Sequence, residues 1–147
     1  MLYIAAIFFI FILILVYYLT GQSFPLSLTH KGKTLSVGER EQIRQGWIKI
    51  QALIEAPGAS ASNQAVIKAD KLLDFALKKM RMKGETLGER LKNAQKRFSS
   101  YDIYDTAWKA HKIRNAVVHE TGYDLTKVTA RSVLKQYKAV LSDLGGI

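Results

Sequence analysis

Between Leu2 and Leu19 the chain reads LYIAAIFFIFILILVYYL, eighteen residues without a charge, a glycine or a proline. Such a run has no place on the surface of a small water-exposed domain. As a helix it reaches about 27 Å, at a rise of about 1.5 Å per residue, which is close to the hydrocarbon thickness of a bilayer. Tyr3, Tyr17 and Tyr18 fall near its two ends, where amphipathic rings favour the interface. A cleaved signal peptide needs basic residues before the apolar run and a small-residue site after it. No basic side chain precedes this run, and Leu19-Thr20-Gly21-Gln22-Ser23 is a poor cleavage site. The expectation is an uncleaved single-pass anchor over residues 1–19.

Charge orients that anchor. The charged side chains all follow it, beginning with Lys31, Lys33, Arg40 and Arg44. The positive-inside rule then puts the C-terminal part on the cytoplasmic face of the inner membrane and the N-terminus outside. The absence of cysteine is compatible with a reducing compartment. The formal net charge of +10 has two uses, nucleic acid or the anionic cytoplasmic leaflet. The densest basic run, Lys78 to Arg97, has eight Lys or Arg against Glu85 and Glu89. Such a run is also the ordinary composition of a solvated helix face.

A linker over residues 20–35, with Pro25 and Gly32 and no helical period, separates the anchor from a domain over residues 36–147. Ser36 with Glu39 forms a capping-box pattern, followed by Ile43, Trp47, Ile50 and Ile54 on one helical face; Pro57-Gly58 ends it. A second helix from near Ser62 aligns Val66, Ala69, Leu73, Leu77 and Met80, with Gly84 as its expected C-terminal cap. Thr86 and Glu89 open a third that runs to about Arg97. The fourth starts near Ser100 or Asp102 and stops at Thr121-Gly122. The last starts near Thr126 and carries Val133, Tyr137, Val140 and Leu144. No segment alternates as a strand does, and both prolines lie outside the helices. The fold class is therefore all-α, a four- to five-helix bundle preceded by one transmembrane helix.

Chemistry concentrates in the fourth helix, in Ala110-His111-Lys112-Ile113-Arg114-Asn115-Ala116-Val117-Val118-His119-Glu120. Arginine offers a planar donor fork for phosphate, and histidine moves protons near neutral pH. His111, Asn115 and His119 are four apart and share one face. Arg114 and His119 are five apart, about 140° around an ideal helix. They converge only if the helix ends or loosens near His119, or if a second subunit supplies the partner.

The order Arg114-Asn115-Ala116-Val117-Val118-His119 resembles the signature of HEPN domains: an arginine, a polar residue and a histidine a few residues on. The resemblance runs from about Ile43 to Leu144 and is similar to that of small single-pass, membrane-anchored bacterial HEPN-like proteins. It implies a helical bundle that acts on RNA as a homodimer, cleaving by attack of a ribose 2′-hydroxyl with no metal and no cofactor. In that scheme Arg114 neutralises the phosphate, Asn115 orients the pair and His119 is the general acid or base. Lys109, His111 and Lys112 extend the RNA contact, His111 without a catalytic part. The tyrosine that several toxin members carry two residues after the histidine is Thr121 here.

A bland reading stands beside this one. In it Arg114 pairs with Asp70 or Asp74, Asn115 cross-links helices and His119 sits at the negative end of the helix dipole. The corresponding function is a non-enzymatic scaffold or interaction domain at the cytoplasmic membrane face. His30, His111 and His119 lack zinc-site spacing, no glycine-rich phosphate loop or nucleophile elbow occurs, and Trp47 and Trp108 read as core.

Overall fold

A computed structural model describes residues 33–147; the run from Leu2 to Leu19, and with it the expected anchor and most of the linker, lies outside the described residues. Five α-helices and one 3₁₀ turn make up the described part, and no strand occurs among the described residues. The helices are α1 (Val37–Glu55), α2 (Ala59–Lys79), α3 (Leu87–Asn93), α4 (Tyr101–His119) and α5 (Lys127–Asp143), with the 3₁₀ turn at Gln95–Arg97. None is long and apolar enough to cross a membrane.

Local chemistry sets where each helix starts. Ser36 Oγ accepts from the Glu39 N–H and Glu39 accepts from the Ser36 N–H, a closed capping box. Thr86 and Glu89 repeat the arrangement at α3, while Ser100 and Thr126 cap α4 and α5 through their hydroxyls. Each cap satisfies amide donors that have no partner inside their own helix. The second helix begins at Ala59, ahead of the expected Ser62, because Gly58 (φ 95°) reverses the chain directly after Pro57. The third is shorter than expected and breaks into the 3₁₀ turn after Asn93.

One expected cap is elsewhere. Gly84 does not end α2; Arg81 does, at φ 60°, with Met82 N–H donating to the Leu77 carbonyl and Arg81 N–H to the Lys78 carbonyl. Gly84 (φ 133°) lies further on, against α3, where an added Cβ would fall 2.7 Å from Glu89 Cβ and 2.8 Å from the Arg90 nitrogen. Close approach of the loop to α3 is what requires glycine there.

The longest helix, α2, packs against all four others. Val66, Ala69, Leu73 and Leu77 of its apolar stripe are fully buried, facing Ile43, Trp47, Ile50 and Ile54 of α1 and Val133, Tyr137 and Val140 of α5. Leu35, just ahead of the first cap, is buried in the same core. Trp47 is core as expected, whereas Trp108 is only partly buried and lies in an edge-on aromatic series, Tyr104–Trp108–His111. At the far end Asn63 of α2 donates to Asp124 and accepts the Leu125 N–H, pinning the loop between α4 and α5.

Removing a cap should be measurable. Thr86→Ala should lower stability by about 1 kcal/mol in chemical denaturation. The Lys33 ammonium, with the Ser36 N–H, lowers the Glu39 carboxyl from 4.5 to about 2. A group lowered on folding contributes stability present above its unfolded value and lost as pH falls through its folded value. Protection from amide exchange in the first turn of α1, taken relative to the intrinsic rate at each pH, should therefore fall between about pH 4.5 and about 2, and Glu39→Gln should flatten that dependence.

Candidate functional site

Asp70 stands on α2 between Ala69 and Lys71, at the border of the apolar stripe, with 3% of its surface exposed. A carboxylate so deep needs donors, and three residues on two neighbouring helices supply them. From α4, His111 Nδ1 donates at 2.8 Å, and from α5 the Tyr137 hydroxyl donates at 2.9 Å, both to Oδ1. The Arg114 Nε of α4 lies 3.1 Å from Oδ2, an ion pair that misses hydrogen-bond alignment. Burial first, and then the Asp70 charge, push the Tyr137 phenol well above its ordinary range, so it stays a neutral donor.

The network has one consistent protonation pattern. Arg114 can only donate, so the Asn115 oxygen faces Arg114 Nη1, at 2.9 Å. The Asn115 amide nitrogen then faces His111 Nε2, at 3.2 Å, and can only donate to it. That leaves His111 neutral, with its proton on Nδ1 pointing at Asp70. Arg114, Asn115, His111 and Tyr137 are thus ordered by one carboxylate.

Asp74, one turn along α2, anchors a second group. It pairs with Lys78 at 2.7 Å and with Arg90 Nε at 2.6 Å. Burial opposes ionisation of Asp74, but Lys78 and Arg90 outweigh it and hold the carboxyl below its ordinary value. Arg90, nearly buried on α3, also donates to the Gly84 and Glu85 carbonyls, so α3 is bolted to α2 through its side chain. The two groups line one cleft of about 580 Å³ with Lys71, Glu85 and Gly88 on its walls.

The expected site residues therefore separate. Arg114, Asn115 and His111 meet in the cleft. His119 does not: α4 stays helical through His119, so the five-residue offset from Arg114 holds at about 140°. His119 is exposed in the last turn of α4, and its side chain makes no hydrogen bond to another described residue. Lys109 is exposed and paired with Asp105 at 2.6 Å, and Lys112 is exposed on the outer face. Among the described residues no group of His, Asp and Glu is arranged to hold a metal ion.

Arg90, Gly88 and the Tyr137 hydroxyl were not legible as site components. Arg90 looks like one more residue of the basic run, and Tyr137 like one more member of an apolar stripe. A scan of protein-family models, a search of curated proteins and a search of solved structures each return no match to this chain.

Asp70 and His119 make a sharp contrast in stability. Asp70→Ala strands three donors, one of them charged, and should cost about 3–5 kcal/mol in chemical denaturation. His119→Ala removes an exposed side chain with no hydrogen bond or ion pair to another described residue and should stay within about 0.5 kcal/mol of the parent.

Proposed function

We propose that this chain is a HEPN-like domain that binds RNA through a backbone phosphate at Arg114 and, as a homodimer, cleaves it without a metal. The observation that carries the reading is the state of Arg114. Asp70 and Asn115 fix two of its nitrogens, while Nη2 donates to no other described residue and the side chain lines the cleft. A guanidinium held in this way is preorganised, so little entropy is lost when it takes a phosphate. Lys71, on the same wall, has no acidic partner among the described residues.

In this mechanism the ribose 2′-hydroxyl attacks the adjacent phosphorus. Arg114 neutralises charge growing on the phosphate oxygens, and Asn115 orients the guanidinium. Proton transfer by a histidine contributes about a hundredfold to ten-thousandfold. Because Arg114 and His119 of one copy diverge, the working pair is Arg114 with His119 of the partner subunit. Val118 and Tyr123, both exposed, flank His119 and offer apolar surface for that contact. Tethering at the cytoplasmic face of the inner membrane by the run from Leu2 to Leu19 would raise the effective concentration of parallel copies, so a weak interface suffices.

A second reading, a non-enzymatic interaction domain at the membrane, draws support from the Asp70 network, in which His111, Asn115 and Tyr137 find protein partners without any ligand.

The full-length chain should cleave RNA in the presence of EDTA, and His119→Ala should slow cleavage by about a hundredfold or more without loss of helicity. RNA binding should weaken steeply with salt as counterions are released. A folded wild type that neither binds nor cleaves varied RNAs, while copurifying with one protein partner independently of His119, would favour the scaffold instead.

A further inference from the structure

We propose that His111 is a catalytic base of the Arg114 cleft, oriented by Asp70, and that it acts from the same protomer as Arg114; this rests on the RNA reading above. Cleavage by an internal 2′-hydroxyl moves two protons, one off the nucleophile and one onto the leaving oxygen. His119 accounts for one of them.

Four observations converge on His111. Its tautomer is fixed: Nδ1–H donates to Asp70 at 2.8 Å, so the basic lone pair is on Nε2. Asp70 would also stabilise the imidazolium formed when Nε2 takes a proton, as a carboxylate behind a catalytic histidine does. On Nε2 itself the one hydrogen-bond partner among the described residues is the Asn115 amide, at 3.2 Å the longest link of the network. A ribose hydroxyl can replace that amide, leaving Asn115 with Arg114. Finally, the residue across from Nε2 is Gly88, on α3. A Cβ there would stand 3.8 Å from Nε2 and 3.6 Å from the Trp108 ring, ordinary contact distances, so a larger side chain at position 88 would lie directly against an imidazole that is itself only 8% exposed. The charged groups around the cleft are Asp70, Lys71, Asp74 and Lys78 on α2, Glu85 and Arg90 at α3, and Arg114 on His111's own helix.

The step balances as follows. O2′ forms its bond to phosphorus while its proton passes to His111 Nε2. The P–O5′ bond breaks, and O5′ takes a proton from the imidazolium of His119 of the partner subunit. The products are a 2′,3′-cyclic phosphate and a 5′-hydroxyl, and exchange with water returns both imidazoles to their starting forms.

The test compares His111→Asn, Gly88→Leu and wild type as full-length chains in mild detergent, against a fluorescent single-stranded RNA and its uncleavable 2′-deoxy analogue. Asparagine can keep a donor to Asp70 but has no basic nitrogen. Leucine leaves every polar partner in place and covers Nε2. Both variants should cleave saturating RNA at least about a hundredfold more slowly, a loss in kcat that exceeds any loss in affinity for the analogue. Should His111→Asn fail to melt cooperatively, Gly88→Leu decides the matter alone. A folded variant of either kind that cleaves at the wild-type rate, while His119→Ala is inert, overturns His111 as the base and leaves the RNA reading standing. A wild type that neither binds nor cleaves RNA overturns both.

Discussion

The buried carboxyl side chain of Asp70 at the junction of α2, α4 and α5 is the constraint on which the rest of the domain is arranged. Removing a carboxylate from water costs several kcal/mol, and the cost is met only where donors arrive in good geometry. Here they come from three residues on two neighbouring helices, so α4 and α5 must dock on α2 in one rotation and one height. The apolar stripes alone are more permissive, since leucine and valine surfaces tolerate sliding. A buried polar cluster that is fully satisfied removes that freedom. Only Arg114 Nε is imperfectly aligned within it, and Arg114 is the member with its head towards the cleft.

The helical architecture was legible wherever the signal is local. Both capping boxes, the stripe of α2 and the faces of α1 and α5 follow from residues within four positions of one another, and all of them are where the periodicity puts them. The misses are of another kind. Gly84 was expected to cap α2 because glycine usually does, yet the tight constraint on it comes from α3, folding back over the loop. Arg81 takes the left-handed turn despite carrying a side chain. Trp108 was expected in the core, and its place beside His111 depends on how α3 and α4 meet.

Pairing between helices shows the same limit more clearly. Asp70 and Asp74 lie one turn apart on one face, so each was an equal candidate partner for Arg114. The choice is made by Arg90, which takes Asp74 and is itself held by the Gly84 and Glu85 carbonyls. No spacing in the chain announces that competition. The same applies to His111. Nothing in its neighbours distinguishes it from a solvent-facing histidine, and its role is set by a carboxylate on another helix.

Asn63 gives the arrangement a further property. It holds the loop that leaves α4 just after His119, and Asp70, seven residues on, holds His111. Seven residues are nearly two whole turns, so both grips project from the same side of α2, about 10.5 Å apart. The helix acts as a ruler: its pitch spaces the grip on His111 from the grip on the loop that follows α4. A one-residue insertion between Asn63 and Asp70 would rotate one grip about 100° from the other. Neither support could then be kept without losing its companion, so this stretch of α2 is fixed in length even where its exposed residues are free in kind.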